Sequence, residues 1–541
     1  MKEIAENRAQ QSVTGAAAEW FAYAPGLMGT VFGIGEVAMA WRWALWMAVA
    51  GMLVGGRAAA AEQQAATRPN VLFIVSDDLN NLLGCYGDSQ AHTPNIDRLA
   101  ARGMRFERAY CAFPLCGPSR NSFLTGLYPN STGILSNAQL FRQTIPSQLS
   151  MPQAFRLDGY FAARVGKLYH YNVPKSVGTD GHDDPASWEV ECNPAGVDRL
   201  IEEPDITTLR PNQFGGTLSW YASPRGDDQH TDGMLAKDAE WILERCADRR
   251  DRPFFLAVGF FRPHTPYVAP KEPYFGLHPL DQMPVVTGVE EDRQDIPAAA
   301  LLSEKKEQAG MSAAQRREVR QAYAASISFM DAQVGRLLDA LDRLDLSDNT
   351  VIVFTSDHGY HMGEHGLWQK QSLFEESARV PMLIVAPGIT TPGSVAPTPV
   401  SQVDLFPTLA ELCGVDPPAN LQGQSLVPLL HDAREQGRGW AITQVVRRRR
   451  VNGKPASFFG YSLRTPQYRY TEWDGGEQGR ELYDHDADGK ELTNLADSPA
   501  HAETVTRLQA ILHEAVATTL PPRGKTPELT PGWWNVNLTD P

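Results

Sequence analysis

The strongest constraint on the fold is a short, wholly apolar run that recurs along the chain. Val71-Leu72-Phe73-Ile74-Val75 has no polar position to turn toward water, so it reads as a strand covered on both faces. Similar runs lie at Phe161–Val165, Phe254–Val258, Thr350–Phe354 and Met382–Val385. Between them are amphipathic stretches with helical spacing: Pro94–Arg102, Asp232–Arg249, Asp404–Leu412 and, longest, Arg316–Leu346. In the last, Tyr323, Ile327, Met330, Val334, Leu337, Leu338 and Leu341 share one face. Buried strands alternating with helices predict an α/β domain with a mostly parallel central sheet flanked by helices. Beyond about Asp432 the pattern changes to short strands at Trp440–Val446, Ser457–Arg464, Arg469–Trp473 and Glu481–Asp484, then a helix from about Ala500 to Thr518. That is the texture of a smaller C-terminal α+β domain with an antiparallel sheet. The expected division is 68–432 for the large domain and 433–541 for the small one. Tyr171–Gln229 and Tyr267–Gln308 exceed ordinary loop length and are expected to cover a site.

Residues 1–61 read as an N-terminal extension and signal peptide. The apolar run Trp41–Val54 ends in small residues, with cleavage expected near Ala60 or Ala61. It is shorter than the roughly 20 residues of a spanning helix, so no permanent membrane span is expected. Met1 and Met39 both stand as starts. The expected location is periplasmic or secreted. Lys and Arg number 49 against 64 Asp and Glu, a net charge of −15, which excludes a general nucleic-acid binder. An anionic substrate must then be drawn by local cations or a metal. Six cysteines without a Cys-x-x-Cys pair make neither a disulfide scaffold nor a structural zinc site.

Two acid clusters follow apolar strands directly: Asp77-Asp78 after the first run, and Asp357-His358-Gly359 after Thr350–Phe354. The carboxyl ends of parallel strands face the crevice where α/β sheets bind ligands. Adjacent carboxylates there are costly without a cation. Both clusters can converge on a hard ion such as Ca²⁺ or Mg²⁺, or each can simply cap a helix. His358, His361 and His365 have the residue type for zinc. Their order is not that of a helical zinc hydrolase, and Gly359 and Gly363 oppose a regular helix, so an all-histidine zinc site is not expected. Cys116 is either an inert buried thiol or, with Arg120 one helical turn on, a reactive one. The run Arg447–Arg450 reads as a solvated face, or as a contact for a carboxylate or sulfate on a sugar.

Cys116-Gly117-Pro118-Ser119-Arg120, followed by Leu124-Thr125-Gly126, resembles the signature of the type I sulfatases of the alkaline-phosphatase superfamily. The resemblance extends through Asp77-Asp78-Leu79, Thr93-Pro94-Asn95, Gly166-Lys167, Arg262-Pro263-His264-Thr265-Pro266 and Gly363-Glu364-His365-Gly366. Gly84-Cys85-Tyr86-Gly87, Gly166-Lys167-Leu168-Tyr169-His170 and Tyr468-Arg469-Tyr470-Thr471 are most similar to the iduronate-2-sulfatase group. The resemblance implies an alkaline-phosphatase-like large domain. It implies that Cys116 is oxidised to Cα-formylglycine by a formylglycine-generating or anaerobic sulfatase-maturing enzyme. One hydroxyl of the hydrated aldehyde then attacks sulfur, and the other helps expel sulfate. It implies Ca²⁺ held by Asp77, Asp78, Asp357, His358 and the modified Cys116. Arg120 steadies the diol and His170 takes its proton. Lys167 and Lys370 bind sulfate oxygens, and His264, or Lys370 with it, protonates the leaving alcohol. The implied substrate is a sulfated carbohydrate such as a 2-O-sulfated uronate. Two alternatives stay open: a phosphoester or phosphonate hydrolase of the same superfamily, and a non-catalytic sulfated-glycan-binding protein.

Overall fold

A computed structural model describes residues 68–451 and 454–520. Residues 1–61, read above as an N-terminal extension and signal peptide, lie outside the described residues.

Five parallel strands form the heart of the large sheet, in the order Thr350–Ser356, Asn70–Ser76, Phe254–Gly259, Phe161–Gly166 and Val190–Cys192. The Asn70–Ser76 strand is buried along its whole length. Leu72 and Ile74 join one apolar cluster with residues of the helices Pro94–Arg102, Thr231–Ala247 and Ala313–Arg343. Val71, Phe73 and Val75 join a second cluster with the helices Cys116–Thr125, Met151–Leu157 and Leu405–Cys413. The strand's period of two therefore feeds two cores, and this explains a run with no polar position. The structure has the alkaline-phosphatase-like α/β architecture.

The Met382–Val385 run is a strand but not a parallel one. It runs antiparallel to Thr350–Ser356 and to Met104–Tyr110. The chain returns from Ser356 without a crossover helix, and an antiparallel partner needs none. Four strands of the nine-stranded sheet lack an apolar run: the short Arg379–Val380 and Val190–Cys192, Met104–Tyr110, which alternates apolar and polar positions, and Ser394–Ser401, which carries Pro397 and Pro399 at a register shift.

Near the C-terminus, Ala441–Val451, Lys454–Arg464, Tyr468–Trp473 and Arg480–Asp484 make an antiparallel sheet in that order. Ile442, Leu463, Tyr470 and Leu482 pack under the helix Ala502–Thr518 through Val505, Leu508, Leu512 and Ala515. Its opposite face sets Val445, Phe458, Trp473 and Tyr483 against Phe113, Leu373 and Phe374 of the large domain. The two long irregular stretches contain a further small sheet, Thr207–Thr208, Ser219–Ser223 and Tyr267–Pro270. Among the described residues no helix is long and apolar enough to cross a membrane.

Candidate active site

Strand register builds the site. Ser76 pairs with Ser356, so Asp77 and Asp357 leave the sheet side by side. Gly166 pairs with Gly259 one strand further along. A Cβ on Gly259 would lie 1.9 Å from the Lys167 carbonyl oxygen, so only glycine lets these strand ends close up and point Lys167 inward. Asp78 adopts φ 64°, a left-handed conformation uncommon outside glycine, which turns its carboxylate back over the strand ends. Tyr323 OH donates to the Asp78 carbonyl (2.8 Å) and fixes that turn.

Cys116 opens the helix Cys116–Thr125, with Pro118 in the first turn, where a missing N–H costs nothing. The nine other residues that the resemblance implies for catalysis and metal binding meet around it. Lys370 Nζ lies 3.1 Å from its sulfur and 2.5 Å from Asp78 Oδ1. His358 Nε2 lies 3.4 Å from the sulfur, 3.3 Å from Asp78 Oδ1 and 3.7 Å from Asp357 Oδ1. His358 Nδ1 donates to the Gly359 carbonyl (2.9 Å), so Nε2 is the ring nitrogen that faces the carboxylates. Lys167 Nζ donates to Asp77 Oδ2 at 2.5 Å. Arg120 bridges the two acid clusters, from Nη2 to Asp77 Oδ1 (3.1 Å) and from Nε to Asp357 Oδ2 (2.9 Å). Its Nη1 donates to the carbonyls of Lys167 and Leu168. His264 bonds the Thr265 carbonyl through Nδ1 (2.5 Å), and its Nε2 lies 3.6 Å from Asp78 Oδ2. His170 lies near enough to the thiol to favour its ionised form.

The electrostatics follow from these positions. Burial pushes the Cys116 thiol up, but Lys167, Lys370 and His358, together with nearby His170, hold it well below the usual thiol range. Arg120, whose guanidinium pairs with Asp77 and Asp357, also interacts electrostatically with the thiol, as its place one turn away predicts, but it is not among the largest influences on it. Burial raises the Asp357 carboxyl to about 7 against the pull of His358 and Arg120. His358 rises to about 9 despite burial, because Asp357 stands beside it. Burial lowers His170 to about 4, so it stays neutral.

The residues fit a hard divalent ion. Asp78, Cys116, Asp357 and His358 each offer a ligand atom within 4.8 Å of the others, as do Asp77, Asp78 and His264. Asp78 Oδ2 is buried without a hydrogen-bond partner. A cation between the clusters would satisfy it and offset three buried carboxylates, and an oxygen-rich donor set suits Ca²⁺ or Mg²⁺. Helix capping, the other reading of these acids, is not what they do.

His170, His264 and Lys370 form part of the wall of a cavity of about 530 Å³. Asn137, His182, Ser303, Lys305 and Gln371 line it as well, and none of them stood out in the sequence. The available signal was the position of Lys305 inside a loop too long to be a mere connection. Burial and the nearby Lys370 lower Lys305 to about 8. Arg447 corrects another expectation. It is buried, donates to the carbonyls of Ala299 (3.1 Å) and Gln371 (2.6 Å), and lies over the Trp473 ring. It therefore braces the segment after Lys370 and has no free face for a substrate.

Comparison with known proteins matches this geometry to one family. Residues 69–415 match the Sulfatase family model, and residues 363–518 match the model of the N-sulphoglucosamine sulphohydrolase C-terminal region. A sulfatase of Formosa agariphila is 33% identical over 472 residues, covering 84% of this chain and 88% of that protein. Iduronate 2-sulfatase of Mus musculus is 32% identical over 488 residues, covering 77% and 87%. The crystal structure of a phosphonate monoester hydrolase of Agrobacterium radiobacter superposes with a TM-score of 0.68 at 25% identity, covering 84% and 96%. That family oxidises its signature cysteine to formylglycine and uses a divalent metal, and here the cysteine and the acidic ligand set stand together. The chain belongs to the sulfatase family, whose members hydrolyse sulfate esters.

Proposed function

We propose that this sulfatase acts outside the cytoplasm on a sulfated carbohydrate, with a 2-O-sulfated uronate or a related polysaccharide unit as substrate, using Ca²⁺ and a formylglycine made from Cys116. The observation that carries this reading is Cys116 beneath Lys370 and His170, two residues that also wall the 530 Å³ cavity. Formylglycine supplies an oxygen nucleophile at that position, and a divalent ion held by Asp77, Asp78, Asp357 and His358 lowers its pKa and offsets sulfate charge.

The chain's own residues supply the rest. Lys167 and Lys370 present ammonium groups to sulfate oxygens in a buried site, where preorganised charge stabilises a transition state strongly. His264 Nδ1 donates to the Thr265 carbonyl, which leaves Nε2 as the nitrogen through which a proton can reach the leaving alcohol. His170 is neutral and so able to accept a proton. Arg120 acts as a positioning residue that locks Asp77 to Asp357. Lys305 adds a cation to the cavity wall beyond the two sulfate-binding lysines, as an anionic sugar requires. The likeness to iduronate 2-sulfatase supports the same choice.

A second reading, hydrolysis of a phosphoester or phosphonate, is favoured by the likeness to the phosphonate monoester hydrolase. One assay separates them. Protein co-expressed with a formylglycine-generating enzyme and supplied with Ca²⁺ is offered sulfated uronate disaccharides, other sulfated sugars, an aryl sulfate and matched phosphate and phosphonate esters. Sulfate release from the uronates, absent in Cys116→Ala, is the expected result. Faster turnover of the phosphorus esters would overturn the sulfate assignment. Preference for a different sulfated sugar would overturn only the uronate.

A further inference from the structure

The catalytic centre takes only the first of the three spaced histidines. His361 and His365 turn away from it, and both are buried. Each has one ring nitrogen fixed. His361 Nε2 bonds Ser372 Oγ at 2.6 Å, and His365 Nδ1 bonds Asp292 Oδ2 at 3.1 Å. The opposite nitrogens, His361 Nδ1 and His365 Nε2, are buried without a hydrogen-bond partner. They lie 4.0 and 3.7 Å from the same atom, Glu376 Oε2, which also lacks one. Glu491, from the loop after the last C-terminal strand, reaches the same point: His365, Glu376 and Glu491 offer ligand atoms within 4.8 Å of one another.

We propose that His365 Nε2, Glu376 Oε2 and the Glu491 carboxylate, with His361 Nδ1 beside them, hold a second divalent ion of the zinc class. The separations of 3.7 and 4.0 Å are too long for hydrogen bonds. They are close to the spacing of two ligands on a tetrahedral zinc ion, about 3.4 Å for bonds near 2.1 Å. Imidazole and carboxylate donors together suit zinc better than Ca²⁺ or Mg²⁺. Asp292 behind His365 is the carboxylate–histidine arrangement that orients a metal-bound imidazole, and Ser372 serves His361 in the same way. A separate cavity of about 570 Å³, lined in part by Asp292, Glu364, His365 and Glu376, gives an ion a way in. Arg469 pairs with Glu375 and Glu491, and Arg320 with Glu364, but neither reaches Glu376 Oε2.

The ion would act as a clip. His361–Met362 pairs with Trp368–Gln369, and Lys370 follows directly. An ion shared with Glu491 would tie this hairpin, and through it Lys370, to the C-terminal region.

The test uses the full chain with Cys116→Ser, so that the thiol of the catalytic centre does not compete, stripped with a chelator and saturated with Ca²⁺ to fill the acidic centre. Zinc is then titrated by calorimetry, and bound zinc is counted by mass spectrometry. One zinc per chain is expected. Glu376→Gln and His365→Asn should abolish it, and Asp292→Asn should weaken it about 10–100-fold, with circular dichroism and Ca²⁺ binding unchanged. Should His365→Asn fail to fold, the isosteric Glu376→Gln decides. No zinc uptake by the parent, equal uptake by Glu376→Gln, or zinc lost only on Asp78→Asn would each overturn the proposal. None of these outcomes bears on sulfate release.

Discussion

Replacing Arg120 with methionine removes the one side chain that bridges the two acid clusters, at little cost in volume. Arg120, Asp77 and Asp357 are all fully buried. Breaking a buried ion pair from one side costs about 3–5 kcal/mol, because the partner charge stays buried and uncompensated. Unfolding entropy is about 2.1 cal/mol/K per residue, so over roughly 450 folded residues one degree of Tm corresponds to about 1 kcal/mol. The variant should therefore unfold about 3–5 °C below the parent in chelator. Saturating Ca²⁺ should close part of that gap, since an ion between Asp78 and Asp357 takes over the compensation. Scanning calorimetry of both proteins, with chelator and with Ca²⁺, reads both effects. A parent-like Tm in chelator would refute the claim that Arg120 neutralises these carboxylates. An equal gap under both conditions would refute the placing of the ion between them.

Three further outcomes follow from the geometry. Lys370→Ala should lower kcat for a sulfate ester about 10²–10³-fold, as loss of a preorganised charge donor does, and a change confined to KM would count against that role. Burial raises the Glu481 carboxyl to about 7 despite hydrogen bonds from Trp473 and Tyr483. The folded state therefore holds this proton more tightly than the unfolded chain, and stability falls as pH rises from about 4.5 to 7, by at most about 3 kcal/mol. Glu481→Gln should flatten the plot of Tm against pH across that window, and an unchanged slope would count against the shift. Arg447→Leu should cost about 1–3 kcal/mol through two orphaned carbonyls. Its KM should not rise selectively for anionic sugars, whereas a selective rise would restore Arg447 as a substrate contact.

The large sheet was legible because its central strands are buried on both faces, and such burial leaves a run with no polar interruption. Helix Pro94–Arg102 matched in both bounds because proline opens it and glycine follows it. Met104–Tyr110 was hidden by its alternating pattern, and Ser394–Ser401 by its two prolines. The direction of Met382–Val385 was beyond reach, since an apolar run carries no sign of orientation. In the site, Asp77, Asp78, Asp357 and His358 showed themselves by following strands, and the cysteine motif supplied the rest by likeness. Lys305 was missed because a lysine in an irregular loop looks like any surface lysine until the loop folds back. Arg447 was misjudged because a run of like charges hides the alternation of a strand: on this strand Arg447 points inward and Arg448 outward.

The depth of Cys116 also sets an order of events. Its side chain is 0% exposed, roofed by His358 and Lys370, which lie 242 and 254 residues further along the chain. An enzyme that rebuilds this side chain has to grip the surrounding backbone, and in the finished fold that backbone is a buried helix. The opportunity exists while the later strand and hairpin are still unplaced. A chain that closes first keeps its thiol under the roof. Under the proposed function, oxidation of Cys116 therefore has to outpace folding, and the speed with which residues 350–370 dock sets how much of the population becomes active.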